Sequence, residues 1–467
     1  MGAEIQGSGS PFKQLSISGL DDFVFGRAPR PVTSRRGVVI GNGVVIPEVN
    51  FTLPPIGISQ ETMPEILRQY SEMVEGVATR AAELNVPALM VEFETLPEMT
   101  IEPDWGLEIT RVLAETLAKY RKTHGLKASL RLTPNDTREM QRPPLMRRGK
   151  YWDGMVEFFH KAGEAGADFI SIESTGGKEI NDEALMNADL RALVFALGIL
   201  GARDMVFLWD EIVAACRNSG ILPGADTACG FANTAMVLAD QHMIPAVFAA
   251  VVRVAAVPRS LIAFERGAVG PSKDCAYEGP YMKAIAGVPI SMEGRSAACA
   301  HLSYVGNIAQ AVCDCWSNES VQNVRLLSTF APTISLEHLA YDCRLMNTAA
   351  QSADGARRLR DWLVESDAAD DPQAWVLRPD VVLRLSREIV EENTPYLRTR
   401  RAVRAAVQEL KQAHGAGRLR VAPREVSWIE RLELEAALLP ESEQDLLQEM
   451  MESPLAEKFL PDQYGIS

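Results

Sequence analysis

Three side chains in this sequence combine the ligand types of a catalytic metal site. Glu173 directly follows a short apolar run, Cys229 comes shortly after a second run, and Cys275 lies in a glycine-rich segment. A carboxylate and two thiolates at three strand ends would hold zinc and leave one coordination position open for a substrate. Zinc is favoured because paired thiolates select soft or borderline metals, and because zinc needs no redox partner.

A second group of ligand types offers a different metal site. Cys299, His301, Cys313 and Cys315 form C-x-H and C-x-C pairs within a short span, which is a complete four-ligand set for structural zinc. The stretch 302–312 between the pairs is helical in character and would hold them apart. The simpler interpretation is that these cysteines are buried apolar residues.

Common catalytic signatures are absent from the sequence. There is no H-E-x-x-H, no G-x-x-x-x-G-K-[ST], no G-x-S-x-G and no G-x-G-x-x-G. A nucleotide cofactor therefore has no support in the sequence.

The elements that would position these side chains follow a repeating pattern. Short apolar runs rich in β-branched residues alternate with amphipathic stretches, which predicts a parallel sheet with helical crossovers. Eight such units predict a closed TIM-type (β/α)8 barrel, whose strands end at the active site. The eight runs are Val44–Ile46, Ala88–Phe93, Ala128–Leu132, Asp168–Ile172, Met205–Trp209, Ile221–Ala225, Ser260–Phe264 and Val288–Met292.

Polar side chains follow or end most of these runs. Together they would form an anionic bowl suited to a cation or to acid–base chemistry. The alternative is that each acidic residue caps the helix that follows it, because Asp and Glu favour helix N-termini. The residues are Glu48, Glu94, Thr133, Glu173, Asp210, Asp226, Glu265 and Glu293.

The barrel is expected to carry two attachments. Residues 1–45 are rich in glycine and proline and predict an irregular N-terminal arm. Residues 46–350 would form the barrel with the zinc site at its C-terminal strand ends. Residues 351–467 are rich in Arg, Glu, Leu and Ala with helical periodicity, which predicts an α-helical C-terminal region.

Composition and charge exclude several classes of function. The 467 residues carry a net charge of −15 with no basic stripe, so a nucleic-acid footprint is not expected. Residues 1–10 lack the apolar core of a signal peptide, and the longest apolar stretch, 244–252, is too short to span a membrane. Seven cysteines in such a chain favour free thiols or metal thiolates and a cytoplasmic location.

Several segments resemble the zinc subunit of methanol:corrinoid methyltransferases, and the resemblance covers most of the chain. It implies an α/β barrel, zinc held by Glu173, Cys229 and Cys275, and a separate corrinoid-carrying partner protein. The resemblance also implies that the group of Cys299, His301, Cys313 and Cys315 belongs to the core or to the surroundings of the zinc. The matching segments include Asp22–Gly26, Ile46–Glu48, Glu173–Lys178, Cys229–Met236, Gly267–Cys275, Met292–Gly294, Cys313–Ser320 and Tyr341–Cys343.

The activity that the resemblance implies is transfer of a methyl group from methanol to the Co(I) corrinoid of the partner. Zinc would polarise the carbon–oxygen bond as a Lewis acid. Two thiolates and a carboxylate make that zinc a weak acid, so a proton donor to the departing oxygen is expected. Asp226 and Asp274 are the candidates, with Glu48 as a further one. The alternative is that these carboxylates orient the ligand loops.

The sequence departs from the family pattern at three positions that we assign to the substrate pocket. Leu132 stands in place of a histidine, Ala228 in place of an aspartate, and Phe231 in place of an amide side chain. Each change removes a polar group, which weakens the case for a small alcohol and favours a larger donor such as a methyl ether or an N-methyl compound. Neutral drift is the alternative explanation.

Two interpretations from other classes of function stay open at this point. A zinc barrel hydrolase or aldolase would work without a corrinoid, and a non-catalytic docking subunit would bind the corrinoid protein without zinc dependence. Self-association is plausible for a chain of this size, although no feature of the sequence fixes the number of subunits.

Overall fold

The structure is a computed structural model that describes residues 11–52, 56–295, 305–321, 325–326 and 329–466. Short 3-10 and π-helical turns occur between the regular elements. The strands in chain order are β1 (Arg27–Thr33), β2 (Val39–Asn42), β3 (Ile46–Thr52), β4 (Leu89–Glu94), β5 (Ala128–Thr133), β6 (Phe169–Ile172), β7 (Leu222–Asp226), β8 (Ser291–Glu293), β9 (Cys315–Val321), β10 (Arg325–Leu326) and β11 (Thr329–Phe330).

Helices connect the strands and form the C-terminal part of the chain. They are α1 (Met63–Glu83), α2 (Pro97–Ile101), α3 (Pro103–His124), α4 (Lys150–Ala165), α5 (Lys178–Asn187), α6 (Leu190–Phe195), α7 (Ala202–Ser219), α8 (Thr234–Asp240), α9 (Ala246–Arg266), α10 (Gly279–Ala286), α11 (Gly306–Gln310), α12 (Ala331–Ala349), α13 (Gly355–Asp367), α14 (Pro372–Trp375), α15 (Pro379–Val390), α16 (Pro395–Gly415), α17 (Val426–Ala437) and α18 (Glu443–Met451).

Seven parallel strands form one curled sheet in the order β7-β6-β5-β4-β3-β9-β8. Apart from the pair β3 and β9, neighbours in the sheet follow one another along the chain, and helices connect most of them, as expected for parallel strands. Six of the eight predicted runs overlap strands of this sheet. The α/β fold class is therefore confirmed.

An irregular segment connects the two edge strands of this sheet. Residues 269–272 form no regular strand, yet they make backbone hydrogen bonds on both sides. Val269 N donates to the Pro223 carbonyl in β7 (2.8 Å), and Ser272 N donates to the Pro289 carbonyl just before β8 (3.1 Å). The segment thus takes the place of an eighth strand and closes the barrel.

Two of the predicted strands are wrong. Met205–Trp209 lies inside α7, and Ser260–Phe264 lies inside α9. α9 is buried on almost every side, so its amphipathic signal is weak. α7 is amphipathic, with exposed positions such as Asp210 and Arg217, but the short apolar run Met205–Trp209 within it resembles a strand. The two remaining positions of the barrel are instead supplied by β9 and by residues 269–272.

The predicted N-terminal arm contains an antiparallel hairpin of β1 and β2. Val32, Val38 and Ile40 of this hairpin pack with residues at the N-terminal ends of the barrel strands, such as Met90 and Phe169. The hairpin therefore covers the end of the barrel opposite the predicted site, so the predicted arm is not irregular throughout. The domain boundaries at 45 and 350 stay predictions.

The predicted C-terminal helical region is confirmed, because its described residues contain α13 to α18. The stretch 379–414 forms α15 and α16, and the Thr394 side chain accepts a hydrogen bond from Leu397 N at the start of the second helix. Pro395 follows as the first residue of α16, where its missing N–H costs nothing. The long helix α16 packs on α9, so this region is joined to the barrel through an apolar contact.

Two helical stretches, Leu190–Ser219 and Ala246–Arg266, are long and apolar enough to span a membrane by length and composition. In the fold, 83% of the most apolar part of the first stretch is buried, and 100% of the most apolar part of the second. A helix that is hydrophobic all round is typical of a protein core, so burial accounts for this composition.

Candidate metal centre

The structure brings Glu173, Cys229 and Cys275 together at the C-terminal ends of the barrel strands. Glu173 is the first residue after β6, and Cys229 lies three residues after β7. Cys275 lies three residues after the irregular segment 269–272. Their ligating atoms all lie within 4.8 Å of one another, and Cys275 Sγ is 3.0 Å from Glu173 Oε1.

Asn233 connects the two cysteines. It ends the π-helical turn that begins at Cys229, and its Nδ2 donates to the carbonyl of Cys275 (3.0 Å). The same Nδ2 lies 3.8 Å from Cys229 Sγ. The amide thus holds the Cys275 backbone next to the Cys229 thiol.

Lys273 is the cation next to this cluster. Its Nζ lies 2.6 Å from Asp274 Oδ1, 3.3 Å from Glu92 Oε1 and 3.4 Å from Glu173 Oε1. Burial alone would lower the pKa of Lys273. The carboxylates of Asp274 and Glu92 and the Cys275 thiol nevertheless raise it well above its ordinary value. The ammonium therefore stays charged and offsets part of the negative charge around the cysteines.

The chemistry of the three donors fits zinc. Burial, together with the neighbouring Cys229 and Glu173, raises the pKa of the Cys275 thiol well above its ordinary value. A divalent cation between these groups would offset the cost of the thiolate, because metal ions bind thiolates and not thiols. Two sulfur ligands and one oxygen ligand are a combination that zinc accepts.

A neighbouring trio shares one of these cysteines. Asp274, Cys275 and Glu293 also place ligating atoms within 4.8 Å of one another. Asp274 already accepts hydrogen bonds from Lys273 and, at 3.0 Å, from Ser317 Oγ. Because its oxygens are occupied in this way, the trio with Glu173 and Cys229 is the better site.

A cavity of about 420 Å³ opens next to Glu173 and Cys229. Both residues line it, so a molecule in the cavity would reach the cluster directly. Polar side chains form one part of its wall and apolar side chains another; they include Asn135, Asp136, Glu139, Lys178, Val237 and Leu238.

The three predicted catalytic carboxylates are all buried beside cations. Burial raises the pKa of Asp226 to about 6, whereas Lys273 keeps the pKa of Asp274 below its ordinary value although burial opposes it. Burial also raises the pKa of Glu48, so among the three carboxyls only Asp274 has an ion pair that outweighs burial. The pairs are Asp226 with Arg259 (2.7 Å), Asp274 with Lys273 (2.6 Å) and Glu48 with Arg131 (2.8 Å).

Leu132, Ala228 and Phe231 are fully buried, and none of them is among the described residues that line the cavity. The Arg259 guanidinium lies 4.4 Å from the centre of the Phe231 ring. Ala228 N donates to Glu278 Oε1 (2.8 Å). These residues therefore do not line this cavity, and their role as substrate determinants stays a prediction.

The competing cysteine group is not assembled in the described part of the chain. Cys313 and Cys315 are fully buried and belong to two apolar clusters. Cys299 and His301 lie outside the described residues.

Two of the polar residues assigned to strand ends lie on helices instead. Asp210 in α7 pairs with Arg266 (Nε to Oδ1, 2.6 Å), and Glu265 in α9 pairs with Arg398 (2.6 Å). The assignment is wrong because the runs before them are helical, so these carboxylates do not take part in the predicted bowl.

Four polar residues that contact this site or its loops were not among the predicted site residues. Arg259 could have been found from the sequence, because a charged residue within the largely apolar helix α9 needs a buried counter-charge. The spacing of residues in the sequence does not reveal the other three, which are Arg138, Asn233 and Lys273.

Known proteins resemble this chain over almost its whole length. The family profile described as methanol-cobalamin methyltransferase B subunit matches residues 10–465. The methanol–corrinoid protein co-methyltransferase of Methanosarcina barkeri (strain Fusaro / DSM 804) is 34% identical over 461 residues, which cover 97% of this chain and 99% of that protein.

A solved structure shows the same similarity. The crystal structure of the methanol:cobalamin methyltransferase complex MtaBC from Methanosarcina barkeri contains a chain that superposes with a TM-score of 0.93 at 33% identity, over 98% of this chain and 100% of that one. These similarities favour neither a hydrolase, an aldolase nor a non-catalytic docking subunit. This chain belongs to the family of methanol-cobalamin methyltransferase B subunits and is a methyltransferase.

Proposed function

We propose that this chain is a zinc-dependent enzyme that transfers a methyl group from methanol to the corrinoid of a partner protein, with Glu173, Cys229 and Cys275 as the zinc ligands. The observation that carries the proposal is the close approach of these three side chains beside an open cavity. The names of the relatives support the methanol donor and the corrinoid partner.

Zinc bound there would supply Lewis acidity that draws charge from the oxygen of the methyl donor. The side chains of the protein perform the remaining tasks. Lys273 offsets the charge of the anionic ligands, and Asn233 fixes the position of Cys275 relative to Cys229. The cavity beside them is open to a small methyl donor.

We assign Asp226, Asp274 and Glu48 to positioning roles, in keeping with their ion pairs. Asp274 Oδ1 accepts from Cys275 N (2.9 Å), and Asp226 Oδ1 accepts from Ser174 N (2.9 Å), so each holds a loop that carries a proposed ligand. Glu94 is a better candidate for holding a proton near neutral pH, because burial raises its pKa to about 7 and it faces the same Lys273 as Glu173.

The methyl-transfer reaction tests this proposal. The zinc-loaded protein is mixed with free cob(I)alamin and methanol, and the loss of Co(I) absorbance is followed. We expect a loss that depends on methanol and stops when a chelator removes the metal. Turnover with a methyl ether or an N-methyl compound but not with methanol would keep the reaction and change the donor. No reaction with any of these donors would contradict the proposal.

Replacing Glu173 with glutamine is expected to weaken zinc binding while the fold is kept, because a neutral amide replaces a charged ligand. We expect zinc to be lost to a chelator about 100-fold faster, at the upper end of the effect of changing a residue near a metal. Glu139→Gln is the matched control, since Glu139 lines the same cavity outside the trio. Equal zinc retention in both variants would remove Glu173 from the ligand set.

We also propose a cytoplasmic location. All six cysteines in the described part of the chain are free thiols, as is usual in a reducing compartment. Self-association stays a prediction that sedimentation of the purified protein would test.

A further inference from the structure

The loop that carries Glu173 is held at three of its next four residues by groups from distant parts of the chain. It runs from the end of β6 to the start of α5 and contains Gly176 and Gly177. No regular strand or helix fixes Glu173 itself, so these contacts determine where its carboxylate lies.

The first contact is at Ser174. Its N–H donates to Asp226 Oδ1 (2.9 Å), and its carbonyl accepts from Arg259 Nη2 (2.9 Å). Asp226 and Arg259 pair with each other at 2.7 Å, and all three residues are buried. The residue next to Glu173 is therefore bound at both its backbone N–H and its carbonyl.

The second contact is at Thr175. Its N–H and its Oγ1 both donate to Asp136 Oδ2, at 2.8 and 2.9 Å. Arg138 donates to Asp136 (2.7 Å) and to Asp204 (2.8 Å), and none of the three charged groups is more than 2% exposed. A buried ion triad thus fixes the second residue after Glu173.

The third contact comes from the C-terminal end of the chain. Gly177 N donates to the hydroxyl of Tyr464 (3.1 Å), which is 2% exposed. Gly177 has a φ of +84°, and a Cβ there would lie 2.6 Å from the Ala196 carbonyl oxygen. A side chain on this residue cannot be accommodated, so its backbone N–H is the group available to anchor the loop.

The segment that presents Tyr464 is itself fixed to the barrel. Residues 461–464 form a 3-10 turn, and Gln463 Oε1 accepts from Arg147 N (3.1 Å). The Tyr464 ring also packs edge-on against Phe459 at 6.1 Å. The hydroxyl is therefore held in place by contacts that do not involve the Glu173 loop.

From these contacts we infer that Tyr464 is a positioning residue for Glu173, and that the C-terminal end of the chain forms part of the metal centre. The inference rests on the proposed function, in which Glu173 binds zinc. Tyr464 acts through the peptide of Gly177 and touches neither substrate nor metal.

The test compares Tyr464→Phe with Tyr396→Phe in the full-length protein. Both substitutions remove one hydroxyl from a buried tyrosine, but the Tyr396 hydroxyl donates to the Pro440 carbonyl (2.6 Å), away from the loop. We expect Tyr464→Phe to raise the rate of zinc loss to a chelator about tenfold, the effect typical of groups that orient metal ligands. Tyr396→Phe should leave this rate unchanged.

Two further measurements separate positioning from a general loss of stability. Hydrogen–deuterium exchange of the metal-free protein should show faster exchange of the 174–178 amides in Tyr464→Phe only. In a Glu173→Gln background, Tyr464→Phe should no longer change the rate of zinc loss, because the side chain it positions is absent.

The outcomes distinguish this inference from the proposed function. Unchanged exchange of the 174–178 amides in Tyr464→Phe would overturn the inference, whether or not the protein binds zinc. An equal increase in zinc loss with and without Glu173 would also overturn it. A wild-type protein that binds no zinc would instead overturn the proposed function, and the exchange measurement would still decide whether Tyr464 orders the loop.

Discussion

Cys275→Ala is expected to abolish zinc retention and methyl transfer in a protein that still folds. Cys275 Sγ lies 3.0 Å from Glu173 Oε1 and within 4.8 Å of the Cys229 thiol, so its loss leaves one sulfur and one carboxylate oxygen. Two protein ligands are too few for a catalytic zinc site. Zinc content after gel filtration and the rate of Co(I) loss with methanol measure the two effects.

Cys216→Ala is the matched control for this experiment. Cys216 is also a buried cysteine, but it lies on α7 within the apolar core. It should retain one zinc per chain and the wild-type rate. If Cys275→Ala also retained one zinc per chain and full activity, the proposed ligand set would be wrong.

Arg138→Met is expected to lower the free energy of unfolding by about 3–5 kcal/mol, the range for breaking a buried ion pair by removing one partner. Arg138 is fully buried and pairs with both Asp136 and Asp204. Burial alone would raise the pKa of Asp136, but the Arg138 guanidinium keeps it below its ordinary value. Removing the guanidinium leaves two buried carboxylates without their counter-charge.

Urea unfolding measures this effect, with Arg68→Met as the control. Arg68 also pairs with two carboxylates, those of Glu65 and Glu72, but these three side chains are about half exposed. Solvent and salt screen such pairs, so this variant should unfold close to the wild-type midpoint. Similar shifts in both variants would contradict the role of the buried triad.

The sequence predicted the fold class and most of the barrel because several strands are short apolar runs between turn residues. It failed where polarity and burial did not follow that pattern. β9 was not predicted because residues 317–320 are four consecutive polar residues, one of which, Ser317, donates to the buried Asp274 inside the barrel. α9 was assigned a strand segment because a helix buried on almost every side shows weak amphipathic periodicity, and α7 was assigned one because its apolar run Met205–Trp209 is as short as a strand.

The candidate ligands could be named from the sequence because residue type, position after a strand and family resemblance agreed on them. The contacts that orient them could not, since they join residues far apart in the chain. Tyr464 reaches Gly177 across 287 positions, and Arg138 reaches Asp204 across 66. Only the folded structure shows such pairs. Strand position also does not reveal which residues line the cavity. Leu132, Ala228 and Phe231 do not line it, and their assignment to the substrate pocket stays a prediction.

X-ray absorption at the zinc edge of the purified protein tests the central claim most directly. The proposed ligand set predicts one zinc per chain with two sulfur neighbours at about 2.3 Å and the remaining neighbours oxygen at about 2.0–2.2 Å. Cys229→Ala should reduce the sulfur signal or remove the metal altogether. A zinc surrounded by nitrogen ligands or by four sulfurs, or a protein that retains no zinc, would contradict the claim that Glu173, Cys229 and Cys275 form the metal centre.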